Sequence, residues 1–336
     1  MRIFIPDYSG ENVLPPCLES LISTIPENIG ITVIDNFSPT PSESLIPSRH
    51  KDRIEVIRSE KNLGYAGAIL KAWEICTDEY LIVANNDIEF LPGWFEAIIN
   101  FAEKSKAHAV RAVIENENDT GIDKSTNASL NVLLYLIPGI FKDRTKAVYP
   151  SGACFLLRHD PLDLPIVDAD YFLYYEDAYI GFLLRSLGKI VLQCPEAKVR
   201  HRGSHSVGKF NRSKIAFYRE YNRLVTQLLF FDFPTLVKLS PIIFLDSLFK
   251  IPECLIRGKP VWATIEAHFH VLGNIGVILE KRKKLRNFDD FDSRRIIPYF
   301  TSRILPLNNP FASFVNILSA AWCGLTGIPA DREASE

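Results

Sequence analysis

The sequence predicts an α/β protein: a mostly parallel sheet flanked by helices, followed by a helical C-terminal extension. Over residues 3–114, short strands alternate with amphipathic helices, the rhythm of βαβ units. Those strands are continuously apolar, as a sheet covered on both faces requires. Beyond Ser213 the alternation gives way to helical periodicity. Ile3 to Pro6 reads as the first strand. Asn12 to Thr24 is a helix with Val13, Leu14, Leu18, Leu21 and Ile22 on its apolar face. Ile31 to Asp35 and Ile54 to Ile57 are the next strands, and Gly64 opens a helix running to Cys76. Tyr80 to Ala84 is the fourth strand. Pro92 suits the first turn of a helix reaching Lys104, and Ala107 to Ile114 is the fifth strand.

The polar, Asn-rich stretch Glu115 to Ser129 reads as a loop. Val148 to Leu157, Lys189 to Gln193 and Ala197 to His201 read as further strands, with a helix over Asp177 to Leu187. Helices then follow over Lys214 to Phe231, Thr235 to Leu255 and Val261 to Arg286. The expected division is one domain over residues 1–231, a helical region over 232–329 and a frayed tail over 330–336, with the change near Pro234.

Composition narrows the function classes. In 336 residues, 47% are hydrophobic and 23% charged, so the chain can bury a core and is not disordered. A net charge of −2 lacks the basic surplus that displaces counterions from nucleic acid. The six cysteines include no C-x-x-C pair and read as buried free thiols of a reducing compartment. With no basic segment leading into an apolar one at the start, a cytoplasmic location is expected.

In an open α/β sheet, ligands sit beyond the carboxyl ends of the strands. Pro6-Asp7-Tyr8-Ser9, Asp35-Asn36, Asn62-Leu63-Gly64 and Asn85-Asn86-Asp87-Ile88-Glu89 all fall there. An acid closing an apolar strand needs a partner, so Asp87 with Glu89 invites a divalent cation seated on oxygen ligands. The competing reading makes Asp87 the cap of a helix starting near Leu91. Glu176 and Asp177 follow Tyr174 and Tyr175 at a helix start. They suit either the helix dipole or a general base beside aromatic faces that seat a sugar. His201-x-x-x-His205 has zinc-pair spacing, but Gly203 argues against a helix there, so zinc is rejected. Arg200, Arg202, Lys209, Arg212 and Lys214 make that stretch basic, either as solvated charge or as a match for diphosphate.

The order and spacing of these motifs are more specific than any one of them. Over residues 2–231 the chain resembles the family 2 glycosyltransferases of the GT-A fold, in their rhamnosyltransferase-like branch. The matching stretches are Ile34 to Ser38, Asn62 to Gly67, Ala84 to Asp87, Ser151 to Ala153, Tyr175 to Asp177, and His201 with Gly203 and Ser206. The resemblance implies an inverting transfer from a nucleoside-diphosphate sugar, dTDP-rhamnose or a UDP-sugar, to a hydroxyl of a lipid-linked or cell-surface glycan. It implies Asp177 as the base with Glu176 beside it. It implies Asp87 as the acid holding Mg²⁺ or Mn²⁺, with Asn85 at the motif's first position, Glu89 in support and His201 closing the site. Asp35 would bind the base or ribose, with Asn62 and Gly64 against the nucleotide and Gly152 leaving room for the sugar. Pro6, Tyr8, Asn36 and Asn86 complete the expected nucleotide-sugar site. The chain departs from the family at Asn85, Leu70, Tyr179 and Leu183, the usual Arg of that last position being displaced to Arg185.

Two other classes compete. A non-catalytic relative binding a nucleotide sugar or glycan is favoured by Asn85. A nicotinamide-dependent oxidoreductase would need G-x-G-x-x-G after the first strand, whereas Gly64-x-x-Gly67 follows the third. In the C-terminal region, Thr235 to Ile256 is interrupted by Lys238, Asp246, Lys250 and Glu253. The uncharged run Pro310 to Pro329 contains Asn316, Gly324 and Gly327. An in-plane amphipathic segment is expected rather than a span. The basic cluster Lys281 to Lys284 reads either as a solvated helix end or as a contact for anionic headgroups on the inner face of the cell membrane. The same helices could form an oligomer face.

Overall fold

The computed structural model describes residues 1–116, 127–160, 164–201, 211–256, 258–288, 290–306 and 309–332. Two compact units emerge, each built from several stretches of chain. One comprises Met1–Thr126, Tyr149–Gly181 and Ile190–Phe210, the other Asn127–Val148, Phe182–Lys189 and Asn211–Glu336.

The first unit is organised on an eight-stranded sheet in the order β3-β2-β1-β4-β9-β6-β10-β5. Strands β1 (Arg2–Asp7), β2 (Gly30–Asp35), β3 (Ile54–Arg58) and β4 (Tyr80–Ala84) run parallel, joined through helices α1 (Leu14–Ile22) and α2 (Gly64–Ile75). Strand β9 (Cys154–Arg158) inserts antiparallel between β4 and β6 (Ala109–Asn116), and β10 (Val191–His201) pairs parallel with β6. Ile3, Ile5, Val33, Ile82, Val110 and Leu156 are all buried in the core under this sheet. This is the mostly parallel α/β architecture that the alternation predicts.

Several boundaries differ from the sequence reading. A three-residue strand, β5 (Ile88–Phe90), pairs antiparallel with the end of β10, so Asp87 leads into a strand and caps no helix. The next helix, α3, begins at Trp94 after Gly93, whose φ of 82° breaks the path from Pro92. The strand expected from Val148 covers only Cys154–Arg158. The strands expected over Lys189 to Gln193 and Ala197 to His201 are one strand, Val191–His201, with a register shift between Cys194 and Lys198, where Pro195 has no N–H for the ladder. The loop expected over Glu115 to Ser129 falls partly in residues 117–126, outside the described residues. Gly203, His205 and Ser206 also lie outside them.

The second unit is helical: α5 (Arg212–Phe230), α6 (Phe233–Ile256), α7 (Val261–Gly273), α8 (Ile275–Arg286) and α9 (Pro310–Thr326), with a small hairpin of β7 (Ser129–Leu130) and β8 (Leu136–Ile137). Asn211 caps α5 by accepting from the Ser213 N–H (2.9 Å). Asn309 caps α9 by accepting from the Ala312 N–H (2.8 Å), and Gly327 ends it at φ 68°. Where one helix was expected over Val261 to Arg286, Gly273 and Asn274 divide it. Asn274 leaves helical backbone, and its side-chain amide donates to the His270 carbonyl at 2.9 Å. A buried ionic network holds the unit. Arg223 donates to Glu220 Oε1 (2.6 Å), Asp246 Oδ2 (3.1 Å) and the Leu133 carbonyl (2.9 Å). Tyr135 lies beneath the Arg223 guanidinium (4.5 Å to the ring centroid) and donates its hydroxyl to Asp246 Oδ2. Among the described residues no helix is long and apolar enough to cross a membrane.

Candidate active site

The parallel strands deliver acids to one edge of the sheet. Asp7 ends β1 in register with Asp35 of β2, and Asp35 in turn pairs with Arg58 of β3. Two buried carboxylates side by side repel and lose hydration, and the site resolves this by giving them unequal partners. Burial works to raise the Asp35 pKa, but the backbone N–H groups of Ser38 (2.8 Å) and Ser42 (3.2 Å) and the Arg58 guanidinium outweigh it and hold this carboxyl below its ordinary range. Asp7 has only the Ser42 hydroxyl (2.6 Å) and the Asn86 amide to set against burial, and its pKa is raised.

Asn36 and Asn62 shape the loop that enters α2. The Asn36 amide donates to Asn62 Oδ1 (3.1 Å) and the Gly64 carbonyl (3.0 Å), and its carbonyl oxygen accepts from the Leu63 N–H (2.8 Å). Asn62 Oδ1 also accepts from the Gly64 N–H (2.8 Å). Gly64 sits at φ +70°, and a Cβ there would stand 2.3 Å from the Phe172 carbonyl oxygen. That carbonyl accepts from the N–H groups of Tyr65 (2.6 Å) and Ala66 (3.3 Å), so the start of α2 is closed by the loop that leads to the carboxylate pair. Phe172, Tyr174 and Tyr175 in that loop all have positive φ, a concentration of strain typical of functional segments.

The loop delivers Glu176 and Asp177 to the first turn of α4 (Glu176–Ser186). Asp177 Oδ2 accepts from the Gly152 N–H (3.1 Å), and Oδ1 from the Ala178 N–H (2.8 Å). The Tyr65 hydroxyl donates to the Gly152 carbonyl. A Cβ on Gly152 would lie 3.7 Å from both Asp177 Oδ2 and Glu176 Oε1, so the two carboxyls flank this glycine. Burial raises both pKa values, with the Asp177 charge adding to the rise at Glu176. At Asp177 the two N–H groups and the Arg111 charge oppose it. Glu176 Oε2 is buried without a hydrogen-bond partner.

The remaining predicted residues divide. Asp87 Oδ1 lies 3.3 Å from His201 Nε2, brought there by the β5–β10 pairing. Glu89 does not join them: its carboxylate pairs with Arg200 Nη1 at 3.2 Å. Asn85 is tied by its backbone N–H to the Ala153 carbonyl (2.9 Å). Pro6 is buried inside β1, and Tyr8 beyond it is partly exposed. Among the described residues no group of three or more His, Cys, Asp and Glu side chains is arranged to hold a metal. The sequence gives Asp7 and Tyr65 a place in candidate stretches but no role, and does not point to Arg58 or Arg111. Asp7 carried a legible signal, since it closes β1 as Asp35 closes β2. The others are visible only through contacts distant in sequence.

The open sheet thus carries acids at its carboxyl edge, an Asp–His pair and a buried carboxylate pair at a helix start. Residues 2–164 match the model for glycosyl transferase family 2. The N-acetylglucosaminyl-diphospho-decaprenol L-rhamnosyltransferase of Mycobacterium tuberculosis is 23% identical over 244 residues, covering 63% of this chain and 79% of the relative. A crystal structure of GalNAc-T7 with UDP, GalNAc and Mn²⁺ superposes with a TM-score of 0.56 at 14% identity, covering 77% of this chain. This chain spans 58% of that one. S. aureus TarS 1–349 in complex with UDP-GlcNAc gives 0.50 at 13% identity, covering 98% of this chain and 90% of that one. At these identities the structural likenesses speak for the fold alone.

Proposed function

We propose that the protein transfers a sugar, with inversion, from a nucleoside-diphosphate sugar to a hydroxyl of a lipid-linked glycan. The observation that carries this reading is the Glu176–Asp177 pair against the Gly152 backbone. Asp177 is oriented by two N–H groups and keeps part of its surface open, as a general base must. The acceptor hydroxyl attacks the anomeric carbon as the carbon–oxygen bond to the diphosphate breaks, and that electron pair leaves with the diphosphate. Asp177 takes the hydroxyl proton. Glu176 carries a proton at neutral pH on this reading, so that one charge rather than two occupies the buried pair. The edge formed by Asp7, Asp35, Asn36 and Asn62 frames the nucleotide. Asp35 acts there by fixing the loop at Ser38 and Ser42, since both its oxygens are engaged by the protein.

The donor set fits a divalent cation. A carboxylate and an imidazole 3.3 Å apart supply two ligands, and Mg²⁺ or Mn²⁺ commonly takes one or two carboxylates with substrate phosphates and water. Asp87 and His201 would hold it, and it would offset charge on the departing diphosphate. Mn²⁺ accompanies UDP in the GalNAc-T7 structure, and the mycobacterial relative is named for a lipid-linked acceptor. Both support the reading by analogy.

A thermal-shift panel with UDP, dTDP, GDP and CMP, each with Mn²⁺ or with chelator, tests it. Ligand that binds the native state raises the melting temperature, so one nucleoside diphosphate should give a metal-dependent shift. No shift with any of them would favour a non-catalytic relative. Asp177→Asn should lower kcat by about 10²–10⁴ while the nucleotide shift is retained, and turnover near the wild-type level in that variant would reject the base assignment.

A further inference from the structure

The helical unit contains two helices whose polarity is inverted. A helix facing water turns its large apolar side chains inward and its charges outward. In α9 the residues facing the protein are Ala312, Asn316, Ser319 and Cys323: three are buried, and Asn316 accepts from the N–H groups of Ile304 (2.8 Å) and Leu305 (3.0 Å). The outward stripe is Phe311, Phe314, Leu318, Trp322 and Leu325, at steps of three and four residues, with Leu325 85% exposed. No charged residue occurs between Pro310 and Ala330.

Helix α6 repeats the inversion. None of its four charged residues, Lys238, Asp246, Lys250 and Glu253, is exposed, and Asp246 and Lys250 turn into the Arg223–Tyr135 network. Val237, Phe244, Leu245, Leu248, Phe249 and Leu255 stand 48–68% exposed instead. The two faces adjoin, because the Trp322 indole N–H donates to the Lys238 carbonyl at 2.9 Å. The end of α8 lies beside the start of α6, where Arg286 donates to the Phe231 carbonyl at 3.0 Å. That last turn presents Lys283 and Lys284, both exposed.

We infer that the outward faces of α6 and α9 dock in the plane of an anionic lipid bilayer, with the basic end of α8 against its headgroups. Large uncharged faces rimmed by lysine match an interfacial helix. At 24 residues, α6 would extend about 36 Å if regular, but its interior Pro241 and Pro252 and its inward charges suit it to lie on the surface. A protein partner is a poorer match, since an interface needs regular hydrogen bonding and Ser240 and Ser313 are the only exposed polar side chains on the two helices. This inference stands apart from the sugar-transfer reading, because docking requires neither donor nor acceptor.

Flotation of the full chain with vesicles tests it and separates vesicle binding from aggregation, which pellets. The chain should float with phosphatidylcholine containing about 30% phosphatidylglycerol and less with phosphatidylcholine alone. Phe314→Asp with Leu325→Asp should abolish flotation and leave the melting temperature unchanged or higher, both positions being exposed. Lys283→Gln and Lys284→Gln should each weaken binding to the anionic vesicles by about fivefold. Three results would overturn the inference: a full chain that floats with neither vesicle, a double Asp variant that floats like the wild type, or a dimer by light scattering that this variant makes monomeric without changing flotation.

Discussion

Glu176 is a buried carboxyl with one oxygen left without a hydrogen bond and a second carboxylate beside it. Its raised pKa makes the native state hold this proton more tightly than the unfolded chain does. Its contribution to stability is therefore complete at low pH and falls as pH rises from the ordinary carboxyl range through the raised value. Glu176→Gln removes that slope. The stability gained by this variant over wild type should grow between pH 5 and pH 8, by about 1.4 kcal/mol for each pH unit until the raised pKa is passed. Chemical denaturation across that range would show it, and a constant difference would mean that Glu176 titrates normally. Asp177 has the same sign of shift, so transfer should fall as pH drops through a value above that of an ordinary aspartate, which a pH–kcat profile would record.

Helix α2 is positioned by a turn that only glycine fits. Gly64 combines φ +70° with a Cβ position 2.3 Å from the Phe172 carbonyl oxygen. That carbonyl closes the first turn of α2 and belongs to the loop presenting Glu176 and Asp177. Gly64→Ala should destabilise by more than about 1 kcal/mol and also lower kcat, because the carbonyl it displaces orders the carboxylate loop. A loss of stability with kcat unchanged would separate the turn from the site. Much at this scale was legible in advance. Asn62-Leu63-Gly64 marks a turn before a helix, whereas the caps Asn211 and Asn309 emerge only in the structure. The strand β5 was not legible: three residues carry no periodicity, and only the β10 edge makes Ile88–Phe90 a strand.

For the whole molecule, a buried ionic network lies far from the carboxylates in sequence. Arg223 is 1% exposed and satisfies Glu220, Asp246 and the Leu133 carbonyl together. Removing one partner of such a network strands the others. Arg223→Met should therefore cost about 3–5 kcal/mol, read from the urea midpoint, and the loss should shrink if Glu220→Gln is added. A cost within about 0.5 kcal/mol would mean that Glu220 and Asp246 find compensation elsewhere.

The chain's own pattern determined the parallel α/β layout, because continuous apolar strands and one-faced helices have few ways to bury themselves. It also determined that Asp35, Asp87 and Asp177 stand at element ends, because an unpaired charge is costly to carry into the core. Tertiary structure decided which of these residues come together. Asp87 meets His201 through an antiparallel pairing of segments more than a hundred residues apart, Glu89 is diverted to Arg200, and Gly152 becomes the donor that orients Asp177. It likewise decided that Asp246 and Lys250 face inward while the phenylalanines of α6 face out. Periodicity locates a helix and its stripes, but which stripe turns inward depends on the partners that the rest of the fold supplies.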